Sequence, residues 1–94
     1  MRKIKQTSRF KRDLKREAKG THKQDLQDGF VKIIEMLARD VPLPESFRDH
    51  VLTGEWKDHQ DCHIKPDLVL INRKPDEATL QLVRIGSHAE LGLA

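Results

Sequence analysis

Four of the chain's five histidines fall between His50 and His88, interleaved with Asp61, Asp67 and Arg84. Histidine is the side chain whose ordinary pKa lets it take up and release protons near neutrality. Within GEWKDHQDCHIKPDLVLI, residues 54–71, an extended backbone would send His59, Asp61 and His63 to one face and Cys62 and Ile64 to the other. Asp67 comes next, and Arg84 and His88 follow in VRIGSH. If neighbouring strands bring these positions together, the set can cleave RNA without a metal. One group removes the proton of a ribose 2′-OH and a second protonates the leaving 5′-oxygen. A cation steadies the negative charge that builds on phosphorus. Arg84 suits that task, because guanidinium meets phosphate with two parallel bonds. The competing chemistry is zinc, since His59, Asp61, Cys62 and His63 are all ligand types. Their spacing matches no CxxC or HxxxH pattern, and Cys62 would face away from the other three. No metal or other cofactor is therefore expected. Outside the set, His22 sits among lysines and reads as solvent-exposed, His59 as a surface residue, and Cys62 and Trp56 as core.

These residues need elements to hold them. Residues 2–6 form a short charged strand. Thr7 and Ser8 are helix-capping types, and a helix over about 8–19 follows, with Phe10, Leu14 and Ala18 as its apolar stripe and Gly20 as its stop. Leu26, Phe30, Ile33, Ile34 and Leu37 recur at helical spacing and predict a second helix over about 22–39, opened by Thr21 and Gln24 and ended by Val41-Pro42-Leu43-Pro44. The pattern then becomes extended. Trp56–Ile64 reads as a strand, Pro66-Asp67 as a turn, Leu68–Ile71 as a strand covered on both faces, Lys74–Glu77 as a turn and Thr79–Ile85 as the last strand. The expected fold is α+β in the order β-α-α-β-β-β, a helical hairpin packed on a small antiparallel sheet.

Length and charge set the wider bounds. Ninety-four residues suit a single domain, 1–94, with a modest core. One cysteine excludes an internal disulfide and fits a reducing compartment. No apolar run has the length of a membrane span and the start lacks a secretory h-region, so the expectation is a soluble cytoplasmic protein with no membrane partner. The net charge of +3 is unevenly spread. Residues 1–23 hold ten Lys/Arg and two acids, a balance of +8, and the remainder holds eight against thirteen, a balance of −5. That asymmetry points to a basic face for nucleic acid or an acidic protein.

Three ordered strings carry a family resemblance: Asp49-His50-x-Leu52-x-Gly54-x-Trp56-Lys57, Asp61-Cys62-His63-Ile64-x-Pro66-Asp67-Leu68-x-Leu70-Ile71, and Arg84-Ile85-Gly86-Ser87-His88-x-Glu90-Leu91. Together with the β-α-α start, they resemble the YafQ-type toxins of the RelE/ParE toxin–antitoxin superfamily over the whole chain. The resemblance implies a RelE-like fold and a ribosome-dependent endoribonuclease that cuts mRNA in the A site and so inhibits translation. It implies a cognate antitoxin as partner, and binding of operator DNA through the toxin–antitoxin complex. Carried over position by position, His50, His63, Asp67 and His88 match catalytic residues, and Asp61 and Arg84 match supporting, substrate-binding positions. The chain departs from the family where Gln60 replaces an arginine, Asn72 a tyrosine, and Gly92 a phenylalanine, which removes one cation and two rings from the expected RNA contact. Two alternatives follow: a ParE-like binding toxin without nuclease activity, and a weakened toxin acting mainly through antitoxin and operator DNA.

Overall fold

The apolar run Leu68–Ile71 becomes the middle of the sheet. The computed structural model describes residues 1–20, 23–47, 50–51 and 56–92, with backbone alone at 25, 27, 28, 50 and 51. Five strands lie in the order β1-β5-β4-β3-β2, where β1 is Lys3–Gln6, β2 His50–Val51, β3 Gln60–Lys65, β4 Leu68–Asp76 and β5 Thr79–Gly86. Helix α1 is Ser8–Lys19, and α3 is the four-residue His88–Leu91. Helix α2 starts as Lys23–Asp25, passes through a π-helical turn at Leu26–Phe30 and continues as Val31–Ala38. The expected uninterrupted helix therefore carries a wider turn, which includes Gly29, a residue that resists regular helix.

Strands β3, β4 and β5 form the expected antiparallel meander, but β1 joins β5 in parallel, so the sheet is mixed rather than wholly antiparallel. A tight hairpin forces antiparallel pairing, whereas β1 meets β5 from the far end of the chain and is free of that constraint. Strand β3 begins later than predicted. Trp56 opens a turn closed by a bond from His59 N to Trp56 O (2.9 Å), with Asp58 at φ 68°. Strand β4 runs into the predicted turn as far as Asp76, and the register slips between Arg73 and Asp76, which accommodates Pro75. The reversal is then made at Glu77-Ala78, where Asp76 Oδ1 accepts from Ala78 N (2.8 Å).

The sheet buries two faces. On one, Cys62, Ile64, Leu68, Leu70, Leu80, Leu82 and Ile85 pack with Phe10 of α1 and with Ile33, Ile34, Leu37 and Ala38 of α2. On the other, Val69 and Ile71 meet Leu91 of α3, with Trp56 and Val83 at the margin. The α1 stripe differs from expectation: Ala18 is exposed, while Asp13 and Glu17 are buried beside Phe10. Asp13 faces the end of β5, where strand pairing stops. Beyond Gln6 the chain turns into α1, anchored by Thr7 Oγ1 donating to Val83 O (2.7 Å), and β5 continues without a strand neighbour on that side among the described residues. No helix among the described residues is long and apolar enough to cross a membrane.

Candidate active site

Two cross-strand rows organise the sheet face opposite the main core. Asp61 lies opposite Ile71 and Ile71 opposite Arg84; His63 lies opposite Val69 and Val69 opposite Gly86. The alternation expected from sequence holds within β3. Cys62 and Ile64 enter the main core, while Asp61 and His63 turn to the face that α3 covers. His59 lies in the preceding turn, outside β3. Its ring meets Trp56 edge-on at 5.4 Å, with Nδ1 3.0 Å from Lys57 O.

Helix α3 delivers the second histidine. Ser87 Oγ accepts from Glu90 N and donates to Glu90 Oε1, both at 3.2 Å, so the hydroxyl caps the helix and also holds the Glu90 side chain. Gly92 at φ 71° closes the helix in the left-handed conformation that glycine adopts freely. Leu91 anchors the turn on Val69 and Ile71. His88 then stands over β3, with its Nε2 3.2 Å from His63 Nε2 and ring centroids 5.1 Å apart. A hydrogen bond between two imidazole nitrogens needs N–H on one ring and a lone pair on the other. The contact therefore holds one proton between two bases.

Carboxylates flank the pair without closing on it. Asp61 Oδ2 is 3.9 Å from His63 Nε2, and Asp67 Oδ1 is 3.8 Å from His88 Nδ1. Asp61 is buried, and its Oδ1 has no hydrogen-bond partner among the described residues, whereas Asp67 is exposed. His50 occupies the β2 position opposite Asp61; its side chain lies outside the described residues. The histidines border a cleft of about 390 Å³ lined by Ser46, Phe47, His63, Ile64, Lys65, Pro66 and His88. Lys65 thus puts a cation in the cleft that no sequence signal marks, because a lysine at a strand end carries no distinguishing pattern. A separate hollow of about 500 Å³, bordered by His59, Gln60 and Arg73, lies away from the pair.

Arg84 is placed otherwise than its expected role suggests. Its Nε and Nη2 each lie 2.9 Å from Asp13 carboxylate oxygens, a two-pronged pair with a buried partner. Asp13 Oδ2 also accepts from Ile85 N (3.2 Å), taking the place of a strand neighbour at that end of β5. Burial pushes the Asp13 carboxyl pKa up, but the Arg84 and Ile85 bonds and the charges of Arg84 and Arg16 outweigh it, so the net shift is downward. The departures at Asn72 and Gly92 also acquire structural meaning. Asn72 is fully buried, with Nδ2 3.5 Å from Gln60 O, so it offers no surface for stacking a base. Gly92 is the α3 cap. Of the described His, Cys, Asp and Glu residues, no three come together as a metal site.

The fold has solved counterparts. Residues 2–92 match the family described as bacterial toxin of type II toxin–antitoxin system, YafQ. The mRNA interferase toxin YafQ of Escherichia coli K12 is 39% identical over 56 residues, 60% of each chain. The crystal structure of a metal-bound toxin from Helicobacter pylori superposes with TM-score 0.85 at 42% identity, covering 97% of this chain and 99% of that one. The toxin in the E. coli DinJ–YafQ toxin–antitoxin complex gives TM-score 0.81 at 30% identity, covering 96% of both chains. With the family match covering nearly the whole chain and the fold in agreement with it, the chain belongs to the YafQ family of bacterial type II toxin–antitoxin toxins.

Proposed function

We propose that this toxin is a cytoplasmic endoribonuclease that cuts mRNA in the ribosomal A site by metal-independent acid–base catalysis and is held inactive by a cognate antitoxin. The observation that carries the reading is the 3.2 Å contact between His63 and His88 at the cleft. One ring, unprotonated at Nε2, takes the proton of the 2′-OH as the 2′-oxygen bonds to phosphorus. The other, protonated at Nε2, gives its proton to the 5′-oxygen as the P–O5′ bond breaks. The products are a 2′,3′-cyclic phosphate and a 5′-hydroxyl. Turnover moves one proton from acid to base, so a single transfer between the facing nitrogens resets the pair. Asp67 and Asp61 act on His88 and His63 by their charge from 3.8 and 3.9 Å, and His50, at the β2 position opposite Asp61, is assigned to the same catalytic set. Arg84 has its charge committed to Asp13, which leaves Lys65, among the described residues lining the cleft, to meet the phosphate. The basic face of α1 suits ribosomal RNA or an acidic antitoxin segment. The DinJ–YafQ complex supports an antitoxin partner, and operator DNA would be bound through that complex.

Expression should arrest growth and translation, and His63→Ala and His88→Ala should relieve the arrest. Full toxicity in both variants would overturn the reading. A second reading has its own observation. Two imidazole nitrogens at 3.2 Å also suit adjacent ligands of one metal ion with bonds of about 2.0–2.1 Å, and the H. pylori neighbour is described as metal-bound. Under it the pair would hold the ion and water would complete the set, since among the described residues no third ligand joins the two histidines. Cleavage surviving a chelator, with cyclic phosphate ends, excludes a required metal.

A further inference from the structure

The helix that carries His88 is strapped to the molecule on the side opposite the histidine. Arg16 of α1 makes a 2.6 Å ion pair with Glu90, two residues beyond His88. The same guanidinium donates from Nη2 to Ile85 O (3.1 Å) and from Nη1 to Asp13 Oδ1 (3.0 Å). It is thereby fixed to the last strand, to its own helix and to α3 at once. The sequence makes room for it. A Cβ on Gly86 would lie 2.8 Å from Arg16 Nη2, so any side chain there displaces the guanidinium. Leu91 holds α3 down onto Val69 and Ile71, but one apolar contact lets a four-residue helix pivot. With Glu90 held toward α1, that pivot is fixed and His88 is presented to His63.

We infer that Arg16 is a positioning residue for the reaction, setting the approach of His88 to His63 through Glu90 and Gly86. The inference rests on the reading that this histidine pair cuts mRNA. Arg16 belongs to the most basic helix of the chain, where a plain RNA contact would be the simplest role. The two roles separate cleanly. A phosphate contact acts on KM, whereas a misplaced general acid or base acts on kcat.

The test compares Arg16→Gln, Glu90→Gln, the double variant and Gly86→Ala in ribosome-dependent mRNA cleavage, with melting temperature and histidine ring NMR on each. Each single variant is expected to lower kcat about tenfold, since small displacements of reacting groups are costly, with KM little changed. The double variant should be no worse than the poorer single, because both remove one contact. The ring-to-ring nuclear Overhauser effect between His63 and His88 should weaken in all four. Lys15→Gln, at an exposed neighbour on α1, should instead raise KM alone. Unchanged kcat, a change in KM only, or an intact ring contact overturns the inference. If Arg16→Gln fails to fold, Glu90→Gln and Gly86→Ala carry the test, because both leave the Asp13–Arg84 pair in place. If the wild-type protein cuts no mRNA, the functional reading falls, while the ring contact in Glu90→Gln still decides whether Arg16 positions His88.

Discussion

The edge where α1 meets β5 and the cleft between β3 and α3 use similar residue types and reach opposite states. At the edge, Asp13, Arg16, Arg84 and Glu90 each have an opposite charge within hydrogen-bonding distance, and Asp13 also satisfies the Ile85 N–H. In the cleft, the contact that stands out joins two like groups, His63 and His88, and the flanking carboxylates Asp61 and Asp67 stand back at 3.8–3.9 Å. A network of matched charges has its charge committed internally and contributes to holding the fold. A contact between two bases keeps a lone pair and a proton at hand for an incoming ribose and phosphate. The contrast explains why Arg84, though suited by type to phosphate, belongs to the first region rather than the second.

The contrast breaks most visibly at Asp13. Asp13→Ala leaves a largely buried guanidinium and a strand N–H without partners, which costs about 3–5 kcal/mol. Urea unfolding measures this, and a loss below about 1 kcal/mol would mean the edge is not a structural lock. His63→Ala and His88→Ala should do the reverse. Cleavage should fall about 10²–10⁴-fold, while stability stays within about 1 kcal/mol of wild type. Variants that lose folding along with activity would erase the distinction.

Acid should weaken the edge only at low pH. The Asp13 carboxyl titrates below its ordinary value in the folded chain. Its contribution is therefore complete above the unfolded value of about 3.9 and drains away as pH falls through the lower folded value. Thermal melts below about pH 4 should show that loss in wild type. The slope should flatten in Asp13→Asn; an equally steep slope there would assign the acid sensitivity to other carboxylates. Lys65→Gln sharpens the question of which cation meets the phosphate. It should lower cleavage by less than the roughly 10²-fold typical of a buried transition-state donor, with unfolding unaffected. Cleavage equal to wild type would return that role to Arg84. The smallest effect is expected at Gly92→Ala, where a left-handed backbone costs a side chain about 1 kcal/mol. A melting temperature equal to wild type would show that α3 does not depend on its cap.

Much of the architecture is legible in the chain. The spacing of Leu26, Phe30, Ile33, Ile34 and Leu37 marks α2, and the run Leu68–Ile71 marks the central strand, because periodicity records which side of an element meets the core. The alternation Asp61-Cys62-His63-Ile64 divides chemistry from core on residue type and a two-residue period alone. Other local signals are subtler. Ser87-His88-Ala89-Glu90 has the spacing of a capping box and Leu91-Gly92 is a helix stop, which together spell α3. Asp13, an acid amid the lysines and arginines of α1, signals a buried partner.

Other features have no local sign. Pairing of β1 with β5 is a contact between the two ends of the chain, and nothing near Lys3 or Thr79 states its direction. The commitment of Arg84 to Asp13 joins α1 to β5, and the clamp of Arg16 on Glu90 joins α1 to α3. By itself, the sequence determined which residues are apolar, which can carry protons and how each short segment repeats, since these are properties of neighbours along the chain. Only the tertiary structure decided that His63 and His88 share one contact while Arg84 is spent on Asp13. Hydrogen bonds and ion pairs depend on distances of a few tenths of an ångström, which packing sets and residue order does not.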